Sequence, residues 1–252
     1  MADYYMGLMS GTSLDGADGV LVDFSASAPR VLASASAPFS STFQAELLAL
    51  NTAGHNELHR AALAANQLAK VYARVVQALL EQAGQQGIAA NDVKAMGAHG
   101  QTVRHRPQEF GDDPLSGGSN AGYTLQLNNP ALLAELTGLD VVADFRTADL
   151  AAGGQGAPLV PAFHHAVFAQ PACSIAVLNI GGISNLTLLP AGQEAGRVQG
   201  FDCGPGNALM DLWCLRHTAK AYDAGGSWAA SGTPIPGLLA RLLGEPYFDK
   251  AP

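Results

Sequence analysis

The sequence predicts an α/β protein built from two related halves. Residues 4–9, 20–24 and 31–39 read as three strands, apolar runs bounded by turn residues, before any helix begins. Residues 174–180, 184–189 and 198–201 repeat that opening, the first two joined through Gly181-Gly182, and each triplet leads into a helix. At 252 residues the chain is long enough for two domains of ~100–200 residues. A boundary near residue 170 divides it into an N-terminal domain, 1–170, and a second domain, 171–252.

The elements follow in order. After the opening antiparallel meander, residues 56–85 place Leu58, Ala62, Ala65, Leu68, Tyr72, Val75 and Leu79 at steps of three and four, one apolar stripe on a long amphipathic helix. Residues 94–98 form a short strand ending at His99-Gly100-Gln101-Thr102, and residues 124–127 and 140–143 are two more strands around a helix over 130–137. Between them, residues 111–122 lack periodicity and are rich in Gly, Ser and Asp, which predicts a mobile surface insertion. An alanine-containing helix over 157–168 leads to the second triplet, and a helix over 207–220 follows it.

Composition excludes several functions. Apolar residues make up 48% and charged residues 13%, about half the ~25% of an average soluble domain. So sparsely charged a surface suits cover by a partner subunit, as in a homodimer, or by further chain. A net charge of −8 without any basic run argues against nucleic acid as a partner. Cys173, Cys203 and Cys214 are odd in number and lack C-x-x-C spacing, so neither a disulfide framework nor a cysteine zinc site is indicated. Met1-Ala2-Asp3 lacks the basic start of a secretory signal, and no run of ~18 apolar residues follows. A cytoplasmic protein without membrane contact is expected.

Chemistry concentrates in three places. Met9 to Gly16 is a polar turn between strands whose Gly11 and Gly16 admit close approach of the backbone to a ligand. Thr12 and Ser13 add hydroxyls there, and Asp15 a carboxylate able to hold a metal ion through water. The G-x-x-x-x-G spacing is not a Walker loop, because Ala17 and Asp18 stand where Lys and Ser or Thr are needed. An ordinary hairpin and an anion site both remain open on this segment alone. Asp202, at a strand end before Gly204-Pro205-Gly206, is either a helix cap or a general base kept ionised by the helix N-terminus. Asp144, Arg146 and Asp149, followed by a glycine turn at 153–156, suit a hydroxylated or carboxylated ligand, or else an internal ion pair bracing the loop. His99 and Gln101 sit in a comparable polar loop. His55-Asn56-Glu57-Leu58-His59 fails the H-E-x-x-H pattern, and its H-x-E lacks the P-C-x-x-C partner of zinc deaminases. No G-x-S-x-G elbow supports a serine triad.

Taken together, the strings at 7–16, 99–105, 140–146, 151–161, 179–185 and 200–207 closely resemble the anhydro-N-acetylmuramic acid kinase family. The resemblance spans nearly the whole chain. It implies the sugar kinase, Hsp70 and actin fold, two related actin-like or ribonuclease H-like domains that close over ATP and substrate in a cleft, with the second incomplete here. It implies that Gly11, Thr12, Ser13, Leu14, Asp15, Gly16, Ala17 and Asp18 form the ATP phosphate loop, with Gly181, Gly182 and Asn185 as its counterpart in the second domain. Magnesium would sit at Asp15 and the catalytic base would be Asp202. Sugar contacts would fall to His99, Gln101, Asp144, Arg146, Asp149, Gly204 and Asn207. The implied reaction opens 1,6-anhydro-N-acetylmuramic acid with water and ATP to give N-acetylmuramic acid 6-phosphate and ADP, a step of peptidoglycan recycling. Two other readings stand beside it: a different sugar or carboxylate phosphotransferase of the same fold, and a non-catalytic ATP-binding fragment. Family members continue past the segment matching 248–250, so this chain alone is expected to bind ATP weakly.

Overall fold

Strand β1 (Tyr4–Met9) runs through the middle of a five-stranded sheet ordered β3-β2-β1-β4-β7, with β2 (Gly16–Asp23), β3 (Arg30–Pro38), β4 (Val93–Ala98) and β7 (Val141–Val142). The computed structural model describes residues 3–107, 122–192 and 198–249. The first three strands are antiparallel, whereas β4 lies parallel to β1 and β7 parallel to β4. A parallel neighbour needs a long crossover, and α1 (Ser41–Ala49) with α2 (Glu57–Gln85) supplies it. By contacts the chain divides into two compact units, Met1–Ala157 and Pro158–Pro252.

The apolar stripe of α2 covers the sheet much as its spacing predicts. Leu68, Tyr72, Val75 and Leu79 are fully buried, and Ala64, Ala69, Val76 and Ala83 widen the stripe. Its start needs correcting. Leu58 is 88% exposed and Ala62 is also exposed. At 1.5 Å per residue the helix is about 43 Å long, against about 30 Å for a strand of nine residues; its first turns therefore overrun the sheet. Ala62 also lies roughly 120° around the helix from Leu68.

Beyond the sheet, β5 (Gln101–Arg106) pairs antiparallel with β6 (Tyr123–Leu127). Gln101 and Thr102 are therefore strand residues rather than loop residues, a point hidden by a run whose only aliphatic side chain is Val103. The Arg104 guanidinium anchors this ribbon by donating to the Leu50 carbonyl and to Glu57. The expected insertion at 111–122 falls, apart from Gly122, outside the described residues. Helix α3 (Pro130–Thr137) has its expected limits, with the Asn129 side chain accepting from Leu132 N at its start and Gly138 at φ +70° at its end. The short helix α4 (Thr147–Ala151) follows β7.

In the second unit α5 (Val160–Phe168) packs on β9 (Ile183–Leu189) and β10 (Gln199–Pro205), which with β8 (Ile175–Ile180) form an antiparallel sheet ordered β10-β9-β8. His164 Nδ1 lies 2.9 Å from Thr187 Oγ1, and a Cβ on Gly200 would meet Pro161 Cγ at 2.5 Å. Those contacts place α5 with the second unit, so the compact units divide ahead of it rather than near residue 170. The strand order repeats the antiparallel triplet of the first unit. α6 (Asn207–Thr218), α7 (Ser227–Ala230), α8 (Pro236–Leu243) and a 3₁₀ turn at Pro246–Asp249 complete the described chain. Among the described residues no helix is long and apolar enough to cross a membrane.

The approach of α2 to β2 depends on a missing side chain. A Cβ on Gly19 would stand 2.5 Å from Val75 Cγ1 and 2.9 Å from Leu8 Cδ2. Gly19→Ala should therefore overpack this interface and destabilise the first unit by about 1–3 kcal/mol, read as a lowered urea midpoint. An unchanged midpoint would contradict the packing described.

Candidate functional site

The loop at residues 10–15 joins β1 to β2 and is held by its ends. Ser10 is 2% exposed and its Oγ lies 3.2 Å from the Tyr72 hydroxyl and donates to the Gly100 carbonyl at 3.3 Å. Leu14 turns inward at φ +58°, its amide donating to Gly11 O at 3.2 Å. Thr12, Ser13 and Asp15 are exposed, and Ser13 Oγ donates to Asp15 Oδ1 at 2.9 Å. No acceptor among the described residues takes the amides of Thr12 and Ser13. The amides of Thr12 and Ser13 and the Thr12 hydroxyl are thus left as donors at the tip of the loop, groups of the kind that bind an anion. Leu14 and Ala17 are buried and can offer a ligand only main-chain groups, while Gly16 is pressed against the Ala37 carbonyl. Asp18 is exposed and pairs in register with Met9.

Behind the loop, β4 ends at His99 and Gly100. His99 Nδ1 lies 2.7 Å from the Gly100 carbonyl, and Nε2 lies 3.0 and 2.8 Å from Arg146 Nε and Nη2. A carbonyl only accepts and a guanidinium only donates. The ring is therefore neutral, with its proton on Nδ1. Arg146 Nη1 donates to Gly156 O at 2.6 Å. The alternative of an internal ion pair fails, because Arg146 bonds neither nearby acid among the described residues. Asp144, at φ +60°, instead accepts from the Thr147 amide at 3.1 Å and from the Thr147 hydroxyl, which holds its pKa below the usual range. Asp149 Oδ2 accepts from the Gly156 amide at 2.7 Å, close enough to Gly154 that a Cβ there would clash. Each carboxylate braces a turn. Gln101, 1% exposed, donates through Nε2 to Gly11 O at 3.1 Å, leaving its buried Oε1 without a partner.

In the second unit, in-register pairing aligns Asn179, Asn185 and Asp202 across β8, β9 and β10. They lie two residues along the same face from Val177, Thr187 and Gly200. Asp202 is exposed, and no side chain among the described residues bonds its carboxylate; its carbonyl accepts from the Tyr247 hydroxyl at 3.1 Å. A bulge follows before Gly204, whose φ of +132° excludes a side chain without strain. Asp202 is not the cap of α6: Gly206 holds that position. The amides of Gly206 and Asn207 donate to the carbonyls of Gly182 and Gly181 at 2.9 and 2.8 Å, and a Cβ on Gly206 would meet Gly181 O at 2.1 Å. A cavity of about 550 Å³ lined by Gly182, Ile183, Asp202, Gly204, Tyr247 and Phe248 opens at this end of the sheet.

Among the described residues no three His, Cys, Asp or Glu side chains converge on a metal position. A lone exposed Asp15 suits an ion held mainly by phosphate oxygens and water, the usual habit of Mg²⁺.

Comparison with known proteins decides the family. The model of the family described as anhydro-N-acetylmuramic acid kinase matches residues 3–252. This chain belongs to that family. An anhydro-N-acetylmuramic acid kinase of Variovorax paradoxus is 62% identical over 99% of this chain and 64% of its own length. That of Albidiferax ferrireducens is 60% identical over 100% and 66%, and that of Bordetella parapertussis 59% identical over 98% and 61%. The chain thus spans just under two thirds of the length of these kinases. A solved exopolyphosphatase-like protein aligns over 85% of this chain and 54% of its own at a TM-score of 0.37 and 12% identity, too loose a likeness to bear on the fold.

Against the family strings, the structure adds residues that sequence reasoning passed over. Asn179 lies inside one of those strings, and only strand register reveals that it lines up with Asn185 and Asp202. Tyr72 looked like any member of an apolar stripe, and its bond to Ser10 spans 62 residues. Burial holds His99 below its ordinary pKa; the Gly100 carbonyl opposes this, and the Arg146 charge adds a smaller lowering. Because the unfolded chain takes up the His99 proton first, near pH 6.5, this residue's contribution to stability is complete above that pH. It is lost as pH falls toward the folded value. NMR titration should give His99 a midpoint under about 6.5; a midpoint at or above it would contradict the neutral ring.

Proposed function

We propose that this chain carries the phosphate loop, the sugar-binding loops and the general base of an ATP-dependent kinase acting on 1,6-anhydro-N-acetylmuramic acid in peptidoglycan recycling. The observation that carries the reading is the family match across residues 3–252. The proposed fold is that of sugar kinases, Hsp70 and actin; the antiparallel triplet at the head of each unit supports it. A cytoplasmic location goes with this reading.

In this mechanism the exposed Asp202 carboxylate takes a proton from the water that attacks the anomeric carbon. The C1–O6 bond of the anhydro bridge breaks as the C1–OH bond forms, and the released O6 takes the γ-phosphoryl group with ADP as the leaving group. Amides and hydroxyls at Thr12 and Ser13, with the Gly181-Gly182 turn, hold the phosphates. Bound magnesium at Asp15 would neutralise charge on the transferring group. Arg146 has N–H groups beyond those given to His99 and Gly156, which suit the sugar's carboxylate. Gly204 lines the same cavity as Asp202, and with Asn207 it would contact the sugar. His99, Gln101, Asp144 and Asp149 serve the sugar indirectly on this reading, by fixing Arg146 and the turns around it.

The test is production of sugar 6-phosphate from anhydro sugar, Mg²⁺ and ATP, compared with the ring-opened sugar as acceptor. It should be run on this chain and on one completed with the C-terminal third of the Variovorax paradoxus relative. Activity of the completed chain on the anhydro sugar is expected. Asp202→Asn should lower its turnover by roughly 10²–10⁴-fold while ATP still binds. Near-native turnover of that variant, or preference for the ring-opened sugar, would refute the proposal.

A further inference from the structure

The polar contacts behind loop 10–15 form one connected chain. Ser10 Oγ gives its proton to the Gly100 carbonyl, so the Tyr72 hydroxyl is the donor to Ser10 at 3.2 Å. The Gly100 carbonyl also accepts from His99 Nδ1, His99 Nε2 accepts from Arg146, and Arg146 donates onward to Gly156 O. Gln101 adds a second strut to Gly11 O. The network thus ties α2, loop 10–15, the β4–β5 turn, Arg146 and the turn at Gly156 within the first unit.

We infer that Tyr72 and Ser10 are positioning residues which, through this network, hold loop 10–15 and the Arg146 guanidinium as one rigid arrangement. This deepens the kinase reading and rests on it for the purpose of the two groups held. Tyr72 is fully buried in a stripe otherwise made of Leu, Val and Ala, where a phenyl ring would fill the same space. Burying its hydroxyl is unfavourable unless it is bonded, and the bond goes to the first residue of the loop. Burial also pushes its pKa up to about 12, so the proton is retained for donation. Gln101 points the same way, since its orientation satisfies Gly11 O while leaving its own Oε1 unpaired.

Hydrogen exchange on the 252-residue chain tests this without nucleotide or sugar, so its failure is separable from failure of the kinase reading. The reporters are the bonded amides of Leu14, His99 and Gly156. Tyr72→Phe, and separately Ser10→Ala, should speed exchange at all three by roughly fivefold, the factor one net hydrogen bond contributes. The double variant should exchange no faster than Ser10→Ala alone, because Ser10→Ala already removes the Tyr72 bond together with the one to Gly100 O. Unchanged exchange, acceleration at Leu14 alone, multiplied effects in the double variant, or uniform acceleration through the sheet in both single variants would each overturn the assignment.

Discussion

A hydroxyl buried between a helix and a sheet must find a partner, and in this protein that requirement organises the candidate site. Gly19 lets α2 close onto β2 with Val75 and Leu79 against the strand, and Tyr72, about one turn before Val75 and two before Leu79, comes to the end of β1. There its hydroxyl meets Ser10 Oγ at 3.2 Å. Loop 10–15 is consequently fixed at its base while Thr12 and Ser13 remain exposed at its tip. Rigidity and accessibility are divided between neighbouring residues, the arrangement a preorganised anion site needs.

The same division recurs among the acids. Asp144 and Asp149 spend their carboxylates on turn amides and a hydroxyl, whereas Asp202, which lies within β10 rather than at the strand end the sequence suggests, has its carboxylate unbonded by side chains among the described residues. An acid that braces a turn has its lone pairs committed. One that no side chain among the described residues bonds, lining a cavity with Gly204, keeps them for the proton transfer proposed above.

Much of the architecture was legible in the sequence because it rests on local patterns. Strands β1, β3, β4, β6, β8 and β9 and helices α2 and α3 follow from apolar periodicity and turn residues close to their observed limits, whereas β2 begins at Gly16, four residues before the expected start, so that Ala17 and Asp18 are strand residues. Strand β5 was not legible, since Val103 alone gives it aliphatic character and its pairing with β6 is a tertiary fact. Nor could periodicity show that Leu58 lies beyond the reach of the sheet. At the site, glycine and hydroxyl spacing marked loop 10–15, and the glycine-proline turn marked Asp202. What remained hidden were relations between distant residues: Tyr72 with Ser10, Gln101 with Gly11, and Asn179 in register with Asp202.

The central claim is that loop 10–15 binds phosphate through groups left free at its tip. Titrating the ¹⁵N-labelled chain with Mg·ATP and following every backbone amide addresses it directly. The account predicts saturable shifts at Thr12 and Ser13 that magnesium pyrophosphate reproduces. Saturation observed elsewhere with those two amides unmoved would contradict it.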